Sequence, residues 1–280
     1  MTDSISLLLQ KVNKEKNEID LFIAGDLQNQ ITASCYTANK FSIPFLGIYS
    51  ACATNTEGLI IASNFIENKT CDEAIVAVSS HNMVAEKQFR NPTEYGGPKP
   101  GTATFTATGG ASCNLTSKKS KVRIESSTIG VPVDYNQTDP MDMGSVMAPA
   151  AASTINKHLS DLDRTVDDYD LILTGDLGLY GKEILIDFMK TEYSIDIKNK
   201  YNDCGIMLYD TKEQKEVQAG GSGPVCSALV VYSDIIKKLQ NKELKRVLYV
   251  ATGALFSPTT LFQKENILSI AHAISLESVE

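Results

Sequence analysis

Short apolar runs closed by turn residues alternate along this chain with segments of helical period. This is the pattern of a mainly parallel sheet with helices on its faces. In the first half it predicts strands at 19–24, 44–49 and 73–79, and helices over 29–40 and 52–67. Residues 1–17 read as the end of a helix, with Ile5, Leu8 and Leu9 on one face, that delivers the chain straight into the first strand. An α/β domain rarely opens in mid-unit, so the expectation is either a start further upstream or a first half shortened at its beginning. Residues 81–102, HNMVAEKQFRNPTEYGGPKPGT, hold too much Pro and Gly to be read as regular structure. Strands follow at 103–108, 111–116 and 121–129, read as antiparallel. The second half predicts a helix over 145–160, whose small-residue run MAPAAAST calls for close packing. A strand at 169–174, a helix over 181–192, a strand at 205–209, a helix over 224–240 and strands at 246–252 and 270–276 complete it.

The two halves repeat one another. EIDLFIAGDL at 18–27 returns as DYDLILTGDL at 168–177, an offset of 150. ACATNTEGLIIASNFIENKTCDEAIVAVSS at 51–80 returns as PVCSALVVYSDIIKKLQNKELKRVLYVATG at 224–253, an offset of 173. The difference, 173 − 150 = 23 residues, places an insertion between about 181 and 219. The expected organisation is two pseudo-twofold halves, 1–140 and 141–280, in one compact unit, since no low-complexity linker divides them. Chemistry is then sought where the copies differ.

Composition narrows the classes. With 280 residues, 42% of them hydrophobic and 21% charged, the chain can bury a sizeable core. A net charge of −8 without a dense basic stripe argues against a nucleic-acid partner, and the lysines at 118–121 read as a solvated turn. Six cysteines lie scattered, with no CxxC and no metal-ligand spacing, so no metal is expected. No signal peptide is evident, and no apolar run approaches the ~20 residues of a spanning helix. A reducing cytosolic compartment is the default.

Cys52 follows an apolar strand and opens a helix. There the free N–H groups and the helix dipole would favour a thiolate, for nucleophilic work or anion contact. An inert buried cysteine reads the position equally well. Of three histidines, His81 directly follows the third strand, at the sheet edge where parallel α/β proteins place ligands. His158 sits at the polar end of a helix, expected to face solvent, and His272 lies in the apolar run SIAHAI, expected in the core. Gly220-Gly221-Ser222-Gly223 opens a helix and could receive a carboxylate or phosphate, or could be only a tight crossover. It lacks the third glycine of a dinucleotide fingerprint, and Pro224 stands where a nucleophile elbow needs glycine. Gly181-Lys182 fails as a phosphate loop, because Glu183 stands where Ser or Thr belongs. Arg90, between Phe89 and Asn91-Pro92, could offer its fork to a carboxylate, or could be a solvated loop charge.

The strand-Ser-Ala-Cys-helix arrangement, the paired GDL strands and the glycine-rich turn before a helix resemble the thiolase-like superfamily. GDLQNQITA, SSHNMVAEKQFRNPTEYGGPKPGTAT, TDPMDMGSVMAPAAASTI, YDLILTGDL and ATGALFSPT more closely resemble the stage V sporulation protein AD family. The resemblance implies a thiolase-like duplicated layered α/β sandwich of two mixed sheets with helices, lacking the usual first strand and helix. It implies a role in endospore formation, with binding of dipicolinic acid (pyridine-2,6-dicarboxylate) and help in its uptake. Implied partners are other proteins of the same operon, at the cytoplasmic side of the spore inner membrane and peripheral to it. A homodimer is the implied assembly, and no cofactor is implied. For a flat dianion the available donors are Cys52, His81, Arg90, Gly221 and Ser222.

Condensing enzymes of the superfamily pair their cysteine with a histidine and with a second histidine or asparagine. By the repeat these should fall just after residues 170–173 and near 219–222, where the chain has Thr174-Gly175-Asp176 and Gly-Gly-Ser. Without a base the thiol has no proton relay, a loss typically of about 10²–10⁴-fold. The favoured expectation is a non-catalytic receptor. The alternatives are an acyl-transferring enzyme with Cys52 as nucleophile and His81 as base, and a scaffold that takes no ligand.

Overall fold

The computed structural model describes residues 1–89 and 99–279. The first part of the chain forms α1 (Thr2–Val12), β1 (Leu21–Asp26), α2 (Thr32–Phe41), β2 (Phe45–Gly47), α3 (Thr54–Glu67), β3 (Glu73–Ser80), α4 (Asn82–Phe89), β4 (Phe105–Thr106) and β5 (Gly109–Thr116). There follow β6 (Val122–Ile129), α5 (Met143–Asp161), β7 (Leu171–Thr174), α6 (Gly178–Tyr193), β8 (Tyr201–Asp203), α7 (Cys204–Leu208) and β9 (Gly221–Ser222). Next, α8 (Pro224–Val230) runs through a π-helical turn (Val231–Ile235) into α9 (Ile236–Gln240). Last come β10 (Arg246–Leu255), α10 (Pro258–Phe262) and β11 (Leu268–Ser278).

Two mixed sheets repeat one scheme. The first has the order β2-β1-β3-β5 and the second β8-β7-β10-β11-β6. In each, three parallel strands are followed by an antiparallel one. β1 and β7, the two GDL strands, take equivalent places beside β3 and β10. β6 has no partner in the first sheet, for it joins the second, antiparallel to β11. A division into halves at 140 therefore separates β6 from the sheet it belongs to. β5 and β6 are antiparallel to their neighbours as expected, whereas β4 pairs in parallel with β9.

Period-2 alternation on strands buried on both faces builds the layers. From β1, Ile23 points inward to a core with Leu59 and Ile60 of α3, Val225 and Val230 of α8, and Val247 and Tyr249 of β10. Its neighbours Phe22 and Ala24 point outward to Ile5 and Leu9 of α1 and Ala38 and Phe41 of α2. On the far side α5 and α6 cover Ile172, Leu248 and Val250. The α3 and α8 helices thus lie between the sheets, the layered sandwich expected. The small-residue face of α5 meets α6 at Gly144, where an added Cβ would stand 2.9 Å from the Gly181 Cα.

Two segments depart from the sequence pattern. Residues 205–209 are not a strand: α7 occupies 204–208, because the Asp203 carboxylate accepts the Gly205 N–H at 2.9 Å and caps the turn. Five apolar residues cannot by period alone separate strand from helix. After Ser80 the chain is helical over α4, with Ala85 and Phe89 one turn apart on its buried face. The Pro and Gly that argued against regular structure begin only at Pro92, outside the described residues.

Candidate functional site

Cys52 lies in a short 3-10 turn, Ala51–Ala53, that precedes α3 rather than opening it. Ala51 takes a left-handed φ of 49°, rare for a residue with a Cβ, so the turn is sharp. The Thr54 hydroxyl pins it, donating to the Ala51 carbonyl at 2.7 Å and accepting the Ser50 N–H at 3.0 Å. Two glycines let both halves press on it. A Cβ on Gly25 of β1 would stand 2.5 Å from the Ile48 carbonyl, and one on Gly253 of β10 would stand 2.3 Å from the Ser50 carbonyl. The GDL repeat supplies the first of these glycines.

The GDL of the second half supplies the neighbour of Cys52. Asp176 follows β7 and is 1% exposed. Its Oδ2 accepts the Gly223 N–H at 2.9 Å and the Ser222 hydroxyl at 3.1 Å, and its Oδ1 accepts the Thr252 hydroxyl at 2.9 Å. The Cys52 thiol lies beside the same carboxyl group. Burial pushes that thiol well above the usual range, and the charge of Asp176 pushes the same way. Burial also pushes the Asp176 carboxyl up, opposed by its donors. Of the two readings of Cys52, thiolate and inert buried thiol, burial favours the second.

The glycine-rich turn is engaged in the same way. Gly221 and Ser222 form β9, and their strand pairing is extended as Phe105 N–H donates to the Gly220 carbonyl (2.8 Å) and Ala107 N–H to the Ser222 carbonyl (2.9 Å). Gly223, with φ at 96°, turns its N–H onto Asp176. The acceptor at this turn is the protein's own Asp176 carboxyl. Ser222 joins the Cys52 site, while Gly221 packs against Cys226 and Tyr209.

A cavity of about 40 Å³ opens beside Cys52. Its polar lining comes from Cys52, Ser222 and Thr106, and its apolar walls include Phe89, Met143, Met147 and Phe256. The Phe89 and Phe256 rings pack at 5.1 Å between centroids and close one side. The space suits water rather than a ring-sized ligand, whose pockets run to roughly 300–1,000 Å³.

The other sequence candidates fall elsewhere. His81 is exposed at the end of β3 and does not line the cavity. The Asp26 carboxylate at the end of β1 accepts the Ser79 hydroxyl and the Gln28 N–H. Arg90 lies outside the described residues. His158 is not solvent-facing: it is fully buried, with Nδ1 at 2.8 Å from the Thr128 hydroxyl and Nε2 at 2.8 Å from the Tyr169 hydroxyl. His272 is a core histidine as expected, its Nδ1 accepting the Gly130 N–H at 3.2 Å. Sequence reading passed over Asp176 as a landmark of the repeat. The signal for it was the pairing of each GDL aspartate with a hydroxyl residue at the 173 offset, Ser79 and Thr252.

A family model described as Stage V sporulation protein AD matches residues 1–277. The Stage V sporulation protein AD of Bacillus subtilis (strain 168) is 49% identical over 277 residues, covering 99% of this chain and 81% of that relative. The chain belongs to the stage V sporulation protein AD family. Solved structures similar to this member of the family are condensing enzymes. A 3-oxoacyl-[acyl-carrier-protein] synthase III from Aquifex aeolicus VF5 superposes with a TM-score of 0.63 at 15% identity, over 96% of this chain and 80% of that one. A variant of OleA from Xanthomonas campestris gives 0.62 at 16% identity, over 99% and 79%. At such identities the likeness establishes the thiolase-like fold and not the chemistry. Among the described residues of this family member, no helix is long and apolar enough to cross a membrane.

Proposed function

We propose that this member of the stage V sporulation protein AD family is a non-catalytic, thiolase-like receptor that binds dipicolinic acid and assists its uptake into the developing endospore. The observation that carries the reading is Asp176. At the place where a condensing enzyme's histidine was expected, the neighbour of Cys52 is a buried carboxyl whose negative charge would oppose a thiolate rather than stabilise one. A site so arranged supports binding better than nucleophilic attack.

The ring would lie between the Phe and Met side chains of the cavity, with a carboxylate toward Ser222, Thr106 and Cys52. Room for it comes from displacing α4, whose Phe89 closes the cavity against Phe256. His81 precedes this helix and Arg90 follows it in sequence, so both remain candidates for the second carboxylate. Operon partners at the spore inner membrane and a homodimer belong to the same proposal.

Calorimetric titration with dipicolinate tests it, using the wild-type chain beside Cys52→Ala, His81→Ala and Arg90→Gln. Saturable binding weakened in Cys52→Ala and Arg90→Gln supports the receptor. A folded wild-type chain that takes no dipicolinate leaves the scaffold reading. A second reading, acyl transfer through Cys52, draws on the condensing-enzyme fold, but its base, His81, is exposed outside the cavity. An acyl adduct on Cys52 after incubation with an acyl-CoA would establish it and overturn the receptor.

A further inference from the structure

The second sheet does not end at its antiparallel strand β11, because β6 pairs along the outer edge of β11 in the antiparallel sense. In the first sheet β5 holds the place of β11, antiparallel to β3, and no described strand lies beyond it. Such an edge presents a row of unpaired backbone N–H and C=O groups to any further strand. A cleft of about 1260 Å³ opens beside it, more than the roughly 300–1,000 Å³ of a small-ligand site. Its apolar floor includes Leu59 and Ile66 of α3, Val231 and Tyr232 of the π-helical turn and Ile236 of α9. On β5 itself the Asn114 Oδ1, which lines the cleft, is buried and receives no hydrogen bond.

The rim of the cleft is basic, in a chain whose net charge is −8. Lys11, Lys118, Lys119 and Lys237 line it, all exposed and none in an ion pair among the described residues. Of the acidic residues there, Glu125 is held by Arg164 and Arg246, which leaves only Glu67 to offset them. A second copy of the chain would bring these same lysines against one another. Anionic lipid headgroups match the charge but offer no backbone to the β5 edge.

We propose that the β5 edge and this cleft receive an extended, acidic segment of a protein partner, added to the first sheet as a fifth strand antiparallel to β5. Alternate side chains of the segment face the apolar floor, and Asp or Glu between them meet the lysines of the rim. β6 shows in the second half how such a strand is seated. No residue of the Cys52 cavity lines this cleft, so the proposal stands apart from the receptor reading.

The experiment is an anisotropy titration of the full chain against a labelled ten-residue peptide of alternating Val and Glu, beside one of Val and Lys. Hydrogen exchange of residues 109–116 is followed with and without peptide. The acidic peptide is expected to bind saturably, more weakly as salt is raised, and about tenfold more weakly to a Lys118→Glu/Lys119→Glu variant. Exchange in 109–116 is expected to slow severalfold on binding. Equal binding of the two peptides, or of neither, overturns the proposal. So does acidic-peptide binding that leaves exchange in 109–116 unchanged, which is charge contact without an added strand. Protection of 109–116 in the chain alone overturns it too, since the edge is then already covered by the chain or a second copy. Vesicles of phosphatidylglycerol that bind the chain and displace the peptide would give the lysines to a membrane instead.

Discussion

Asp176 accepts the Thr252 hydroxyl at 2.9 Å, and the same pair exists in the other half as Asp26 and Ser79, at 2.5 Å. The duplicated fold thus keeps an aspartate-hydroxyl latch after each GDL strand, tying it to the neighbouring parallel strand. What differs is the company. Asp26 has His81 near it at an exposed edge, whereas Asp176 is turned inward to Cys52, Ser222 and Gly223. The same position serves as a latch alone in one half, and as a latch that also holds the glycine-rich turn in the other.

Removing the charge of Asp176 should release the thiol. In Asp176→Asn the Cys52 sulfur loses a neighbour whose charge opposes the thiolate and gains an amide that can donate to it. Alkylation of Cys52 by iodoacetamide at pH 8, followed by peptide mapping, should rise about tenfold or more, with the pH–rate profile displaced downward. An unchanged profile would mean that burial alone silences the thiol.

Two buried histidines should contribute to the acid limb of stability. Burial holds His158 and His272 down to about 4, from an ordinary 6.5. Their folded values lie below the unfolded ones, so the unfolded chain binds more protons, and stability present above pH 6.5 is lost as pH falls toward 4. Each contributes roughly 3 kcal/mol over that range. Asp203 works the other way. Burial raises it to about 6, so the folded state binds the extra proton, and stability declines as pH climbs from about 4 to 6. Asp26, Glu57 and Asp176, which burial also raises, act in the same sense as Asp203, so the histidine contribution is read by difference. Urea unfolding of a His272→Gln variant that folds should lose less stability than the wild type between pH 7 and pH 4.5. An equal loss in the two would refute the role of His272.

Gly253→Ala should cost on the order of 2–4 kcal/mol, although the substitution is mild in most strands. Its Cβ would stand 2.3 Å from the Ser50 carbonyl and 3.2 Å from the Ala53 nitrogen, both of them backbone, so relief requires moving the turn that carries Cys52. Thermal unfolding measures the cost, and dipicolinate titration of whatever folds should show weaker binding. A variant as stable as wild type would show that the turn yields freely.

Much of this was readable from the chain, and the failures have local causes. The GDL repeat, the strand-Cys-helix step and the offset of the second half expose the duplicated sandwich, because strands buried on both faces must be apolar runs. The α7 segment misled because its helix depends on a cap from Asp203, which is local chemistry that a period cannot see. His158 misled because its polar neighbours Asn156 and Lys157 suggested solvent. The Thr128 and Tyr169 hydroxyls that satisfy it come from a distant strand and from the start of the next one. Asp176 was visible only as part of a repeat, since its meaning arises from Cys52, far off in sequence and brought beside it by folding.

Phe89 should govern entry to the cavity. It is the last described residue of α4, and its ring packs on Phe256 from the opposite half, over a space too small for a pyridine ring. Phe89→Ala removes that wall. It is expected to cost about 3 kcal/mol of stability, at the lower end for a buried aromatic, because the ring sits at the rim of a small cluster. In exchange, stopped-flow association of dipicolinate should quicken severalfold, and Cys52 should become more accessible to alkylation without a change in its pH profile. That last feature separates access from activation: Asp176→Asn alters the profile, whereas Phe89→Ala alters only the rate. If association proves no faster in Phe89→Ala, the ligand enters from another side and α4 is a fixed wall.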